Sequence, residues 1–283
     1  MKQVPTIGFI GAGKVGASLG AYFLKKGIAV TGFYDALTVH AQKAAALTET
    51  RCFPSLEQLL AANEMVFITV PDDFIGMVWE QCHRSPMAGK CFFHCSGALS
   101  SSVFLNHAEA AVHVGSAHPV CAVSSRESSD VFSGKFFVLE GDATGIEMLK
   151  SLMMKTGNNY HVIGQEDKTK YHAAAVASSN LFCALAQTGL DWLLSCGFDA
   201  ATAQALLTPL MLDNVNNIAE KGCVEALTGP VERGDIGTVQ RHLETLVGDD
   251  REIYRLLSLR LLTLAQEKHP DKDYTNLKEV LLR

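Results

Sequence analysis

The chain has 283 residues, 48% of them hydrophobic and 19% charged, with a formal net charge of −6. That length suits two domains of ordinary size, and the apolar fraction supports substantial cores, which excludes general disorder. No cluster of Lys and Arg supplies the positive field a phosphate backbone requires, so nucleic acid is excluded as an expected partner.

Taken in chain order, Thr6–Gly11 (TIGFIG) reads as a buried strand and Lys14–Lys26 as a helix stopped by Gly27. Ala29–Asp35 (AVTGFYD) is a second strand, Thr38–Leu47 the next helix and Leu56–Ala62 a short one. Glu64–Val70 (EMVFITV) is a buried strand ended by Pro71, and Asp72 or Asp73 is expected to cap the helix that follows. Cys91–Ser96, Ala111–His118, Lys135–Gly141 and Tyr160–Gly164 are further strand candidates. Strands alternating with helices imply βαβ units and a mostly parallel sheet. After Gly164 the character changes. Asp167–Cys196 has no Pro and Gly only at 189, and reads as one long helix, continuous or interrupted. Ala200–Lys221, Ile236–Val247 and Arg251–Lys268 read as helices, and Leu227–Asp235, with Gly229 and Pro230, as a loop. The expected organisation is an α/β domain over 1–165 and an all-α domain over 166–283, with the long helix as hinge.

Eight cysteines form no CxxC pair. A chain of this size builds a core without covalent staples, so reduced thiols in the cytoplasm are expected. No uninterrupted apolar run of about 18 residues occurs, so no membrane-spanning helix and no membrane partner are expected. Lys2 followed by apolar residues resembles a leader peptide, but Lys14 breaks the run, and a strand, glycine turn and helix explain it better.

The most informative segment is Gly11-Ala12-Gly13-Lys14-Val15-Gly16, a GxGxxG that follows a strand and opens a helix. Asp35 ends the next strand, 19 residues after Gly16. This context is that of a Rossmann-type dinucleotide site. Gly11 permits the turn, Gly13 lets the backbone approach a pyrophosphate, and Gly16 lets the helix pack on the strand. The helix N-terminus offers N–H groups and partial positive charge to phosphate. Asp35 would accept from ribose hydroxyls and repel a 2′-phosphate by roughly 1–4 kcal/mol at about 4 Å. Residues 36–40 (ALTVH) hold no Lys or Arg, and His40 would help only if protonated. NAD(H) is therefore expected over NADP(H). Asp35 is also open to a reading as a helix cap alone.

Ligands of open α/β sheets bind beyond the carboxyl ends of the strands. Val70-Pro71 ends one strand and should lie along the cofactor. The next ends in His94-Cys95-Ser96-Gly97, where Ser96 and the Gly97 backbone could hold a nicotinamide or a carboxylate. A third ends at His118-Pro119. Histidine suits proton transfer near neutrality, and each of these is equally open to a structural reading. His94, Cys95 and His118 could gather, but without spacing typical of zinc, so no metal is expected. On the long helix, 168, 172 and 179 share a face by helical geometry, with Asn180 about 80° round from His172. This stripe would face a crevice or serve helix packing. Arg233 could bind a substrate carboxylate or be an exposed loop residue.

The segments GFIGAGKVG, FITVPDD, HCSGALSS, GSAHP, YHAAAVASSN and ALTGPVERGD occur in this order. Together they resemble a bacterial family of Rossmann-like oxidoreductases whose C-terminal helical domain was long of unknown function. That family is related to ketopantoate reductase, pyrroline-5-carboxylate reductase and 6-phosphogluconate dehydrogenase. The resemblance spans nearly the whole chain. It implies that the crevice between domains holds nicotinamide and substrate, and that the helical domain makes a homodimer. One departure stands out. The better-known relatives carry a lysine, with an asparagine one turn later, on the interdomain helix. Here His172 lies near the lysine's place, Val176 follows four residues on, and Asn180 comes a turn later. Lys168 and Lys170 are substitutes to consider.

These readings converge on a cytoplasmic NAD(P)-dependent reductase of a small carbonyl acid, 2-dehydropantoate first. His172 is the leading proton donor and His118 the second, with His94 nearby and Asn180 and Ser96 orienting substrate. Reduction of an imine of the pyrroline-5-carboxylate type and a non-catalytic dinucleotide sensor are the alternatives.

Overall fold

The computed structural model describes residues 5–283, so Lys2 lies outside the described residues. The chain divides into two compact units, one closing at Ser178 and the other running Ser179–Arg283.

The first unit is built on eight strands. They are β1 (Ile7–Ile10), β2 (Val30–Tyr34), β3 (Arg51–Cys52), β4 (Met65–Ile68), β5 (Cys91–His94), β6 (His113–Pro119), β7 (Phe137–Gly141) and β8 (Tyr160–Val162). Among the described residues six α-helices accompany them: α1 (Lys14–Lys25), α2 (Thr38–Thr48), α3 (Leu56–Ala62), α4 (Asp72–Cys82), α5 (Ala143–Thr156) and α6 (Lys168–Ala177). The sheet order is β3-β2-β1-β4-β5-β6-β7-β8. Every neighbouring pair is parallel except β6 with β7. β1, β4 and β5 are buried at every position, as strands covered on both faces should be.

Strand order reverses between β1 and β4, so the chain leaves their carboxyl ends in opposite directions and opens a crevice there. Phenylalanines fix this end of the sheet. Phe9 lies 5.4 Å from Phe33 and 5.5 Å from Phe67, and Phe67 lies 5.4 Å from Phe93, ring centre to ring centre. Each such pair adds about 0.5–1.5 kcal/mol beyond area burial. A second cluster, around Trp79, Phe92 and Phe104, forms the other apolar core.

Several expectations need correction. Neither Asp72 nor Asp73 caps α4; Pro71 holds the cap position, and both acids lie in the first turn. β3 and α5 were not anticipated. Asp142 caps α5 by accepting from Gly145 N at 2.7 Å, and also accepts from Val114 N at 2.8 Å, tying the helix to β6. The long helix is interrupted at Ser179, whose φ of −131° and ψ of −78° are not helical. The face that was to join 168, 172 and 179 is therefore not continuous. The first turn of α6 is anchored in the sheet unit through Lys168, whose Nζ donates to Ser116 Oγ on β6.

The second unit holds α7 (Asn180–Ser195), α8 (Ala200–Ala226), α9 (Pro230–Arg233), α10 (Ile236–Thr245), α11 (Gly248–Lys268) and α12 (Thr275–Leu282). The segment expected as a loop contains the short α9, started by Pro230 at a position where its missing N–H costs nothing. Gly222, at φ 78°, kinks α8 one residue past the expected end at Lys221. A core of Leu227, Val231, Val239, Leu262, Tyr274 and Leu277 holds α9–α12 together. α7 has no buried residue and α8 only Ala203. The helical run Gln165–Ser195 is long and apolar enough to cross a membrane by length and composition, a property the uninterrupted-run criterion did not register. It is, however, broken at Ser179 and fixed to the sheet at Lys168.

Candidate active site

The glycine turn joins β1 to α1. Gly11 has φ 96°, and a Cβ there would meet the Thr69 carbonyl carbon at 2.8 Å. A Cβ on Gly16 would overlap the Gly11 oxygen and Thr69 Oγ1. Thr69 Oγ1 donates to the Gly11 carbonyl at 2.7 Å, locking the turn to the end of β4. Gly13 differs: a Cβ there would meet nothing within 4 Å. Gly13 is also the N-cap of α1, with no side chain capping the helix. Amide donors thus face open space at a helix N-terminus, which is the environment a phosphate requires.

Beside the turn lies a cavity of about 530 Å³ lined by Gly11, Gly13, Asp35, Val70, Pro71 and Arg126. Its apolar wall includes Leu37, Phe74 and Met77, which are 60%, 49% and 53% exposed. Exposed apolar side chains gathered round a concavity mark a site for a flat ring. Asp35 borders the cavity but also serves the turn. Its Oδ2 accepts from Ala12 N at 2.8 Å and its Oδ1 from Leu37 N at 2.9 Å. It does not cap α2, whose N-cap is Leu37. His40 Nδ1 lies 3.7 Å from Asp35 Oδ1. Lys14 and Val15 line an adjoining cavity with Pro71, Asp72, Cys95 and Ser96.

The strand ends beyond this cavity carry a dense polar cluster. His94 is fully buried. Ser96 N donates to His94 Nδ1 at 3.2 Å, which leaves the ring proton on Nε2, 3.3 Å from the Ser100 carbonyl. Burial, then the Lys168 charge, push its pKa down to about 3. Both nitrogens serve the backbone, so His94 shapes the loop and has no atom left for a substrate. Ser96 is similarly occupied. Its hydroxyl donates to Asp72 Oδ2 at 2.6 Å and accepts from Ala98 N and Leu99 N at 3.2 and 2.9 Å. One donor and two lone pairs are a hydroxyl's full capacity. The expectation that Ser96 orients substrate gives way to a role in fixing the β5 loop against α4.

His118 and His172 do come together. Their ring centroids are 6.0 Å apart, and both abut Gly97, where a Cβ would lie 2.9 Å from His118 Nε2 and 2.5 Å from His172 Cδ2. Gly97 is thus needed for close approach. His118 Nδ1 lies 2.6 Å from the Tyr171 hydroxyl, a partner the sequence reading did not single out. Burial and then Lys168 push the His118 pKa down to about 4, and burial pushes Tyr171 up to about 12.

Lys168 is 1% exposed. Its Nζ donates to Ser116 Oγ at 2.7 Å, and Ser116 Oγ donates to Glu140 Oε2 at 3.3 Å. Glu140, 2% exposed, also accepts from Ser101 N at 2.7 Å and Ser101 Oγ at 2.5 Å. Burial lowers the Lys168 pKa to about 8, opposed chiefly by Glu140. Asn180 and Arg233 lie in the second unit. The Ser179 hydroxyl donates to Asn180 Oδ1 at 3.0 Å, and Arg233 is exposed on α9. Among the described residues no group of three His, Cys, Asp or Glu side chains could hold a metal ion.

A family described as Rossmann-like domain matches residues 2–119, and one described as Domain of unknown function (DUF2520) matches residues 135–261. Comparison with the curated proteins finds no match. Among solved structures, protein TM1727 from Thermotoga maritima is 26% identical, with a TM-score of 0.73 over 93% of this chain and 99% of that one. A putative NADP oxidoreductase, BF3122 from Bacteroides fragilis, is 20% identical, with a TM-score of 0.69 over 92% and 99%. An imine reductase from Pseudomonas sp. is 14% identical, with a TM-score of 0.60 over 98% and 99%. The chain is thus similar to a Rossmann-like domain over its first part and to a DUF2520 domain over most of the rest.

Proposed function

We propose that the chain is a nicotinamide-dinucleotide-dependent oxidoreductase that reduces a small carbonyl acid, with 2-dehydropantoate the first substrate to try. The observation that carries this reading is the glycine turn, closed at Gly11 and Gly16 but open at Gly13 above a cavity bordered by Asp35. The Gly13 backbone and the α1 N-terminus hold an anionic bridge. The wall of Leu37, Phe74 and Met77 takes an adenine, and Asp35 accepts from ribose hydroxyls with its remaining lone pairs. A bound nicotinamide supplies the hydride, and the chain's own residues bind, orient and protonate. Tyr171, with a pKa raised to about 12, keeps its proton at neutral pH and is the leading donor. His118, uncharged at that pH, lies in contact with it and orients the hydroxyl. His172 is the second donor.

Imine reduction of the pyrroline-5-carboxylate type is the second reading. It is favoured by the uncharged His118, which does not repel a protonated C=N bond. BF3122 carries an NADP oxidoreductase name and the Pseudomonas protein an imine reductase name, and both readings are consistent with that company. Calorimetric titration of the full chain with NADH and NADPH, followed by cofactor oxidation with 2-dehydropantoate or 1-pyrroline-5-carboxylate, tests the proposal. Saturable binding and turnover of one substrate are expected. Uptake of neither nucleotide overturns the reading, and tight binding without turnover marks a sensor instead.

The exposed faces of α7 and α8 carry Leu181, Leu185, Leu206, Leu210, Val215 and Ile218, from 44% to 58% exposed. A helix pair with a single buried residue must bury its apolar stripe elsewhere. We assign that face to a second copy of the chain, in the cytoplasm, where eight free thiols are stable. Light scattering should give the mass of a dimer.

A further inference from the structure

The residues next to Asp35 in sequence contain no Lys or Arg, which favours an unphosphorylated ribose. The structure brings cations to the same place from elsewhere. We propose that Arg126, on the segment between β6 and β7, reads the ribose 2′-phosphate of NADP(H), so that the chain accepts the phosphorylated cofactor in spite of Asp35. This rests on the dinucleotide reading above.

Arg126 lies across the glycine turn, its Nε donating to the Ala12 carbonyl at 3.0 Å. Ala12 is also the residue whose N–H is held by Asp35, so guanidinium and carboxylate meet at the two polar groups of one residue. The segment that carries Arg126 is anchored. Ser18 Oγ donates to the Ser125 carbonyl at 2.9 Å, and Lys25 pairs with Asp130 at 2.9 Å. Asn158 Nδ2 donates to the carbonyls of Phe132 and Lys135 at 2.7 and 2.9 Å. Arg126 lines the cavity that holds Asp35 and His40. It also lines a neighbouring one, of about 600 Å³, with Lys14, Lys43, Ser124 and Ser125. Arg126 is a side chain common to both, so a group projecting past Asp35 towards it enters a pocket with three cations and one acid, Glu127.

Among the described residues no carboxylate lies within ion-pair distance of Arg126. A planar guanidinium without an acidic partner, preorganised by one hydrogen bond, suits a phosphate better than a ribose hydroxyl. Asp35 is turned towards the backbone, with each oxygen accepting one N–H. Its charge is thus partly compensated where the phosphate would come. Lys14 and Lys43 are exposed and add screened attraction.

The test is calorimetric titration of wild type, Arg126→Gln and Lys43→Ala with NADPH, NADH and adenosine 2′,5′-bisphosphate. Wild type is expected to bind NADPH at least as tightly as NADH. Arg126→Gln should weaken NADPH and the bisphosphate about tenfold or more and leave NADH within about twofold. Lys43→Ala, which makes no hydrogen bond to the turn, should weaken NADPH alone by about two- to threefold. Equal loss of NADH and NADPH in Arg126→Gln would overturn the proposal, since Arg126 would then serve the shared pyrophosphate or the turn itself. Binding of NADH but not NADPH by wild type also overturns it. Binding of neither removes the dinucleotide reading and this proposal with it.

Discussion

The glycine turn and the polar cluster around His118 are constructed in opposite ways. The turn is local: Gly11, Gly13 and Gly16 lie within six residues, and Tyr34, Asp35, Thr69 and Arg126 brace it from outside. The cluster is assembled from four separate stretches, with Ser101, Ser116, Glu140 and Lys168 in one hydrogen-bonded chain. A local device depends on backbone shape and tolerates change around it. An assembled one stores folding free energy in buried polar contacts, so function and stability are lost together there.

The comparison can be broken most decisively at Glu140. Glu140→Ala leaves the Ser101 amide and the Ser116 hydroxyl buried without their acceptor and the Lys168 ammonium without its compensating charge, and about 3–5 kcal/mol of stability should be lost in urea unfolding. A loss below about 1 kcal/mol would mean that the cluster is not a structural unit. Next, Tyr171→Phe removes the proposed donor and little volume. It should lower kcat about a hundredfold or more with unchanged cofactor affinity, and near-normal turnover would pass the role to His172.

Acid sharpens the contrast further. Unfolded histidines take up protons near pH 6.5, whereas His118 waits until about 4 and His94 until about 3, chiefly because both are buried. The unfolded state therefore binds more protons between these values. Stability is fully present above about pH 6.5 and falls as pH drops towards 4. His118→Gln should flatten that slope by on the order of 2 kcal/mol in unfolding free energies measured at pH 7 and pH 4.5. The smallest change in stability belongs to the turn. Gly13→Ala meets no neighbouring atom and should cost less than about 1 kcal/mol, mostly from the cap position. The same methyl group intrudes on the cradle, so nucleotide affinity should fall in titration while the unfolding curve barely moves.

The same division explains what could be read from the sequence. The GxGxxG, Asp35 and the strand–turn–helix around them are contiguous, and the sheet unit's alternation of strands and helices follows from short buried runs between breakers. α5 escaped notice even though Asp142 and Gly157 flank it as cap and left-handed terminator, the usual signals. The two-residue β3 has no periodicity to detect. Tyr171, Glu140 and Arg126 were not legible because their partners lie 53, 39 and 114 residues away. His94 and Ser96 were placed at the right strand end. A spacing does not show that backbone groups and the Asp72 carboxylate already occupy every donor and acceptor of these two side chains.

β7 alone runs against its neighbour β6, and this sets Ser116 directly opposite Glu140. Side chains alternate sides along a strand, so sliding β7 by one position would exchange Glu140 with Leu139, now packed among the phenylalanines. Such a misalignment would thrust an ionised group into hydrocarbon and strand an ammonium at the same time. The antiparallel pair thus acts as a self-checking latch: correct alignment of the far edge of the sheet is verified by charge, a safeguard that strands β1 and β4, with no polar side chain, lack.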